Sequence, residues 1–173
     1  RIKLVKAGGA SERAIREACD PGFYSTKTTP AQAVMTHRAG ILVLSGTTGI
    51  GKTLCATRWL LEYGGPRPRL LGAEWMESAG RYGSRAEEVR TKWGTATGFV
   101  LDDLGVEPEP DLQWLIQLVS VWAHFTDSAA MVVTTNLTRP QFSERYTADR
   151  LLSRLQLTTW IHCPERDMRC PGL

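Results

Sequence analysis

An eight-residue stretch, GTTGIGKT, follows an apolar run in the first third of the chain and precedes a segment with helical character. It matches the pattern G-x-x-x-x-G-K-[S/T] at every fixed position. Glycines let such a loop curl so that its N–H groups point at a phosphate, and the N-terminus of the next helix adds positive potential. We therefore predict a phosphate-binding loop formed by Gly46, Thr47, Thr48, Gly49, Ile50, Gly51, Lys52, Thr53 and Leu54.

Two side chains of this loop have a predicted chemical role. A lysine at the position of Lys52 can reach the β- and γ-phosphates of a nucleoside triphosphate, and a hydroxyl at Thr53 can ligate Mg²⁺. The alternative is a glycine-rich turn that binds nothing. Because the loop lies between a predicted strand and a predicted helix, the binding loop is favoured.

A second apolar stretch, FVLDDLG, ends in two adjacent carboxylates, Asp102 and Asp103. In a phosphate-loop protein the first would hold Mg²⁺ and the second could polarise the attacking water. The same residues satisfy the DxxG pattern of GTPases, but the chain has no NKxD-like guanine motif. An ordinary strand terminus remains the simpler alternative for an acidic pair.

Three further polar residues are candidates for the site. Asn136 follows the apolar run AMVVTT, where an amide could sense a γ-phosphate, although asparagine is also a common turn residue. Arg150 and Arg154 lie one helical turn apart in DRLLSRL. A guanidinium presented to a neighbouring copy could neutralise charge in the transition state. The alternative is a solvated arginine face.

Alternating apolar and helical segments must position these residues. Five apolar runs without polar alternation predict buried parallel strands at 41–45, 69–73, 98–102, 130–135 and 158–162. Helices are expected at 52–63, 73–82, 86–93, 111–125 and 147–155, the last preceded by a turn. This alternation predicts an α/β sheet with helices on both faces.

The composition fits an ordinary soluble domain. The chain has 173 residues, 42% hydrophobic and 23% charged, with a net charge of +3, and no apolar run approaches a membrane span. Four cysteines without CxxC spacing favour a reducing, cytoplasmic setting, and a metal site at His162, Cys163 and Cys170 is disfavoured. Because the chain opens with Arg1, we expect it to be part of a longer protein.

Four segments together resemble the initiator clade of AAA+ ATPases, particularly helicase loaders and transposition ATPases: GTTGIGKT, FVLDDLG, VVTTNLT and ERYTADRLLSRLQLTTWIHCPE. The resemblance covers roughly residues 35–165 and implies a five-stranded parallel sheet in the order 5-1-4-3-2. Residues 1–34 are themselves interpreted as a basic lead-in that packs on a core of 35–173. The resemblance implies ATP and Mg²⁺ as ligands. It also makes Asn136 the sensor of the γ-phosphate and Arg154, with Arg150 as second candidate, a finger acting in trans.

The implied partners are a head-to-tail oligomer of this chain, DNA that is expected to be single-stranded, and a helicase or transposase client. Two departures from the family pattern affect these expectations. Asp-Asp replaces the common Asp-Glu, which favours slow or partner-stimulated hydrolysis. Only 11 residues follow His162, so we expect no helical lid, and Arg166 and Arg169 are poor substitutes for its arginine.

Two other functions stay open: a monomeric phosphotransferase acting on a small molecule, and a nucleotide-binding scaffold that does not hydrolyse. A basic surface for DNA is predicted near Arg81, Arg85, Arg90 and Lys92, although such arginines are often simply solvated.

Overall fold

A computed structural model describes residues 1–20, 29–73, 93–107, 112–127, 129–147 and 149–163 of the chain. The elements in chain order are α1 (Ile2–Ala7), α2 (Glu12–Ala18), α3 (Thr29–Thr36), β1 (Gly40–Ser45), α4 (Lys52–Tyr63), β2 (Pro68–Gly72), β3 (Gly98–Leu104), α5 (Leu112–Asp127), β4 (Ala130–Thr135), α6 (Arg139–Arg145), α7 (Asp149–Gln156) and β5 (Thr159–His162).

The strands form one five-stranded sheet in the order β2-β3-β4-β1-β5. Every pairing is parallel, so the carboxyl ends of β1, β3 and β4 lie side by side at one edge. The predicted order 5-1-4-3-2 is therefore confirmed. The five strands predicted from apolar runs are also found, with bounds that differ by at most two residues.

Side chains alternate between the two faces of the sheet, and each face has its own core. On one face, β-strand residues pack against an aromatic cluster from α5 and α6 that includes Trp122, Phe125, Phe142 and Tyr146. On the other face, they pack against α4 through Ala56, Trp59 and Leu60. Each large side chain that is fully buried in this way contributes roughly 1.5–3 kcal/mol to folding.

The N-terminal segment contributes to the second of these cores. Val5, Ile15 and Ala18 are buried in the same cluster as the α4 residues. The turn after α1 also lies against β2, because the Leu70 N–H donates to the Gly8 carbonyl at 2.9 Å. The lead-in that the sequence predicts thus contacts the sheet layer, while the division at residues 34 and 35 stays a prediction.

One helix has no counterpart in the sequence-based prediction. Residues Arg139–Arg145, which come before the turn predicted ahead of α7, form α6. Thr138 begins this helix with a reciprocal capping box: its side chain accepts from the Gln141 N–H, and the Gln141 side chain accepts from the Thr138 N–H. Pro140 stands in the first turn, where its missing N–H costs nothing.

Several predictions fall outside the described residues. These are the helices expected at 73–82 and 86–93, apart from their end residues Ala73 and Trp93, the basic surface at Arg81, Arg85, Arg90 and Lys92, and the segment after Cys163. Within the part that the structure does describe, no helix has both the length and the apolar character needed to cross a membrane.

Candidate functional site

The glycine-rich loop joins β1 to α4 at the carboxyl edge of the sheet. Gly46 has φ 142°, and a Cβ there would lie 2.7 Å from the Cys163 carbonyl oxygen and equally close to Ile50 Cδ1. Gly51 has φ 82° and begins α4 without a side-chain cap. The first amides of α4 are thus left without the side-chain acceptor that usually caps a helix, which is the arrangement that binds anions.

Lys52 is the first residue of α4 and directly follows the glycines of the loop. Its side chain folds back over the loop and is almost completely buried. The ammonium group donates to the carbonyls of Gly46 at 2.8 Å and Thr47 at 2.7 Å, and to Asn136 Oδ1 at 2.9 Å. The residue predicted to bind phosphate and the residue predicted to sense it are therefore in direct contact.

The predicted metal ligands also meet. The Thr53 hydroxyl donates to Asp102 Oδ1 at 2.9 Å, and the Thr134 hydroxyl donates to the same oxygen at 2.6 Å. Burial raises the pKa of Asp102, while the Thr134 hydroxyl lowers it and the neighbouring Asp103 raises it. A cation at this edge would offset the carboxylate charge that burial disfavours.

The two predicted acidic residues differ in backbone conformation. Asp103 has φ 54°, a left-handed value that costs a non-glycine residue about 1–2 kcal/mol. Its side chain is exposed, whereas Asp102 is half-buried. Among the described residues it is the one non-glycine residue with positive φ, so the strain is concentrated at the predicted site.

These residues line a cavity of about 780 Å³. Its walls include most of the predicted loop and the acidic pair, namely Thr48, Gly49, Gly51, Lys52, Thr53, Leu54, Asp102, Asp103 and Asn136. The other predicted loop residues lie next to it: Thr47 is exposed and Ile50 packs against Gly46.

The opposite wall of the cavity comes from α2 and was not anticipated from the sequence. It is lined by Ser11, Arg13, Ala14, Glu17 and Asp20. Ser11 caps the helix, since its hydroxyl accepts from the Ala14 N–H at 3.1 Å. A Ser followed by a short helical run is a readable start signal, but nothing in the sequence indicates that this helix lies over the glycine loop.

The two candidate finger arginines lie on α7, away from this cavity. Arg150 is exposed and Arg154 is half-buried, while Leu151 between them is fully buried in the aromatic core. Neither arginine is among the described residues that line the cavity of its own chain.

A buried carboxylate, Glu107, connects the loop after β3 to the end of α6 through hydrogen bonds and an ion pair. Its side chain has no exposed surface, and it accepts hydrogen bonds from the Gly105 N–H at 2.9 Å and from the Tyr146 hydroxyl. Arg145 Nε lies 3.6 Å from Glu107 Oε1. Burial raises the pKa of Glu107, and the Gly105 N–H and Arg145 lower it. Sequence reasoning missed this cluster because its partners are far apart in the chain.

Replacing Tyr146 with phenylalanine is expected to lower the free energy of unfolding by about 1–3 kcal/mol, because a buried carboxylate loses a hydrogen-bond donor. Urea denaturation measures this. Tyr63→Phe is the matched control, since it makes the same change on a half-buried ring that stacks under Arg38. The control should stay within about 0.5 kcal/mol of the parent chain. Equal losses in the two variants would show that the Glu107 contact is not stabilising.

The described part of the chain shows no cluster of three or more metal-ligating side chains of the His, Cys, Asp and Glu types. Cys163 is buried and His162 is exposed, and Cys170 lies outside the described residues. Burial raises the pKa of the Cys163 thiol to about 11 and that of Cys55 to about 12, so both thiols are neutral at physiological pH. Neutral buried thiols behave as small apolar side chains.

The residues present fit a nucleoside triphosphate with Mg²⁺. Uncapped helix amides and a lysine ammonium group suit the phosphates, and the Thr53 hydroxyl with the Asp102 carboxylate suits a hard divalent cation. The cavity is large enough for a ligand of that class.

No protein-family model and no curated protein matches this sequence, whereas solved structures match its fold. A crystal structure of the DnaC helicase loader aligns with a TM-score of 0.66 and 16% identity, covering 89% of this chain and 100% of that chain. A DNA replication initiation factor aligns with a TM-score of 0.63 and 15% identity, covering 96% of this chain and 51% of that chain.

The replication initiator DnaA bound to AMPPCP and single-stranded DNA aligns with a TM-score of 0.60 and 15% identity, covering 95% of this chain and 50% of that chain. The present chain thus spans about half the length of these two initiator structures. At such identities the likeness establishes the fold alone. The chain has the fold of the AAA+ P-loop domains of replication initiators and helicase loaders.

Proposed function

We propose that this chain is an ATPase that assembles head to tail when ATP is bound and acts on DNA together with a replicative helicase or a related client. The observation that carries the proposal is the contact network at the carboxyl edge of the sheet. In it Lys52 bonds to Asn136, and Thr53 bonds to Asp102. Three separate strand ends thus converge on one cavity.

The ligands of this site are proposed to be ATP and Mg²⁺. When bound, they supply a labile phosphoanhydride and a cation that neutralises phosphate charge. Lys52 binds the β- and γ-phosphates, and the amides of the glycine loop hold them in place. Thr53 and Asp102 hold the cation. The three N–H groups of the lysine already donate to two loop carbonyls and to Asn136, so the lysine must give up at least one of these three acceptors when it binds a phosphate.

Hydrolysis is assigned to residues around the γ-phosphate position. Asp103, exposed at the cavity wall, polarises the attacking water. Asn136 distinguishes the triphosphate state, because its amide oxygen already bonds the lysine that contacts the phosphates. Arg154 of an adjoining copy neutralises charge in the transition state, with Arg150 as second candidate. The exposure of Arg150 and the absence of both arginines from the cavity walls support a role in trans.

The client and the nucleic acid are inferred from the fold comparisons. One matched structure is a helicase loader, and another is an initiator bound to single-stranded DNA. A finger that acts between copies requires a head-to-tail contact, which generates rings or open spirals. Such an assembly could follow a DNA backbone by phosphate contacts that weaken with salt.

The test is the rate of ATP hydrolysis per chain as a function of protein concentration, with and without single-stranded DNA. We expect the rate per chain to rise with protein concentration and to rise further with single-stranded DNA. A rate that is independent of concentration would favour a monomeric phosphotransferase. Tight ATP binding without hydrolysis under any condition would favour a nucleotide-binding scaffold.

A further inference from the structure

The last part of β3 leaves the regular register of the sheet beside the cavity. Leu101 pairs with Val133, but the next pairing along the strand is Leu104 with Thr135. Two residues of β3 therefore face the single residue Thr134. This is the arrangement of a β-bulge, in which one strand carries an extra residue.

The core packing records the same extra residue. Leu101 and Leu104 are both fully buried in the aromatic core on one face of the sheet. In a regular strand, residues two positions apart share a face, whereas these two are three apart. Two residues, Asp102 and Asp103, therefore lie between them where a regular strand has one.

The bulge determines where the two carboxylates point. Regular alternation would send the side chains of Asp102 and Asp103 to opposite faces of the sheet, with Asp103 directed into the apolar core beside Leu101. Instead Asp103 adopts a left-handed backbone with φ 54°, and both residues line the same cavity. A paired acidic site at this position depends on the bulge being maintained.

A single hydroxyl contacts both members of the pair. Thr134 is fully buried, and its Oγ1 donates to Asp102 Oδ1 at 2.6 Å. Thr134 Oγ1 also accepts a hydrogen bond from the Asp103 backbone N–H at 2.9 Å. Since the bulge removes ladder hydrogen bonds from β3, this side chain provides the partner that the Asp103 amide would otherwise lack.

We propose that Thr134 is a positioning residue that holds the bulge of β3 and thereby aims both carboxylates at the cavity. The catalytic consequence rests on the proposed ATPase function. The backbone consequence does not, because it concerns the conformation of the chain without ligands.

Three variants test this proposal. Thr134→Val keeps the shape of the side chain and removes the hydroxyl, whereas Thr134→Ser keeps the hydroxyl. Thr97→Val is the matched control at the amino end of β3, where a threonine hydroxyl likewise donates to one carbonyl, of Gly64, and accepts one N–H, of Arg67. If the valine variant does not fold, Thr134→Ala is compared with Thr134→Ser in its place.

The kinetic readout is ATP turnover. Thr134→Val is expected to lower kcat at least about tenfold, since Asp103, which polarises the water, is no longer aimed at the cavity. KM should change by less than about threefold, because the Thr53 hydroxyl still bonds Asp102. Thr134→Ser should restore kcat to within about threefold of the parent chain, and Thr97→Val should leave it unchanged. A serine variant as slow as the valine variant would overturn the proposal.

The second readout needs no nucleotide. Amide hydrogen exchange at Asp103, followed by NMR, is expected to be slow in the parent chain and in Thr134→Ser, and fast in Thr134→Val. Unchanged exchange in Thr134→Val would overturn the proposal even if hydrolysis fell. If the parent chain hydrolyses no ATP, the proposed function fails, and the exchange comparison still decides the role of Thr134.

Discussion

Replacing Lys52 with alanine is expected to weaken ATP binding by at least about 100-fold, because the phosphates lose their charge-assisted hydrogen bonds to the buried ammonium group. The side chain sits between the glycine loop and Asn136, at the junction of three strand ends. No other described lysine lines the cavity, so compensation by a neighbouring lysine is not expected. Titration calorimetry with a non-hydrolysable ATP analogue measures the loss.

Lys3→Ala is the matched control for this prediction, because it removes the same charge from an exposed position on α1. It should leave the affinity within about twofold of the parent chain. Thermal unfolding of both variants without nucleotide shows whether the fold is intact. A Lys52→Ala chain that folds normally and binds ATP with the parent affinity would contradict the assignment of the phosphate loop.

The second large effect is expected at α7. Arg154→Ala should leave ATP affinity within about threefold and lower the hydrolysis rate at high protein concentration by about 1,000-fold or more, the range seen when an arginine finger is removed. The reason is that the guanidinium stabilises charge that is present only in the transition state. Steady-state turnover measured over a range of protein concentrations separates this effect from a defect in binding.

Two arginine variants accompany this measurement. Arg150→Ala tests the second candidate, one turn earlier on the same helix and more exposed. Arg67→Ala removes an exposed arginine at the amino edge of the sheet and should have no effect. If the large loss appears in Arg150→Ala and not in Arg154→Ala, the finger is Arg150. If neither variant loses concentration-dependent hydrolysis, completion of the site in trans is wrong.

Local sequence signals were sufficient for the sheet and for most of the cavity. The phosphate loop, the acidic strand end and Asn136 each follow a run of apolar residues, and parallel strands bring their carboxyl ends to one edge. Periodicity predicts that Lys52, Asp102 and Asn136 each follow a parallel strand, and the strand order implied by the AAA+ resemblance predicts that these three strands are neighbours. Their contacts in the structure agree with that reasoning.

The missed features depend on contacts between distant segments. The sequence predicts Thr134 only as a residue of the fourth strand. Its hydrogen bonds to the Asp102 carboxylate and the Asp103 backbone N–H form where β3 bulges against β4. Glu107 meets Tyr146 across 39 positions of the chain. The helix α2 begins with a readable cap at Ser11, but its place over the glycine loop is set by packing on α4.

The missed helix α6 is a different case. Its start signal was present in the sequence, with Thr138 and Gln141 in capping-box spacing and Pro140 in the first turn. The helix has only seven residues and no long apolar stripe, so hydrophobic periodicity gives no signal for it. Capping chemistry was the better guide there than hydrophobic periodicity.

Mixing two inactive variants tests most directly whether one chain completes the site of another. A Lys52→Ala chain has no working phosphate loop but keeps its arginine, and an Arg154→Ala chain keeps its phosphate loop but lacks the arginine. Equimolar mixing is predicted to restore ATP hydrolysis well above the sum of the two separate rates, with a maximum near equal proportions. A mixture that hydrolyses ATP no faster than its separate components, although the two chains associate, would contradict catalysis shared between copies.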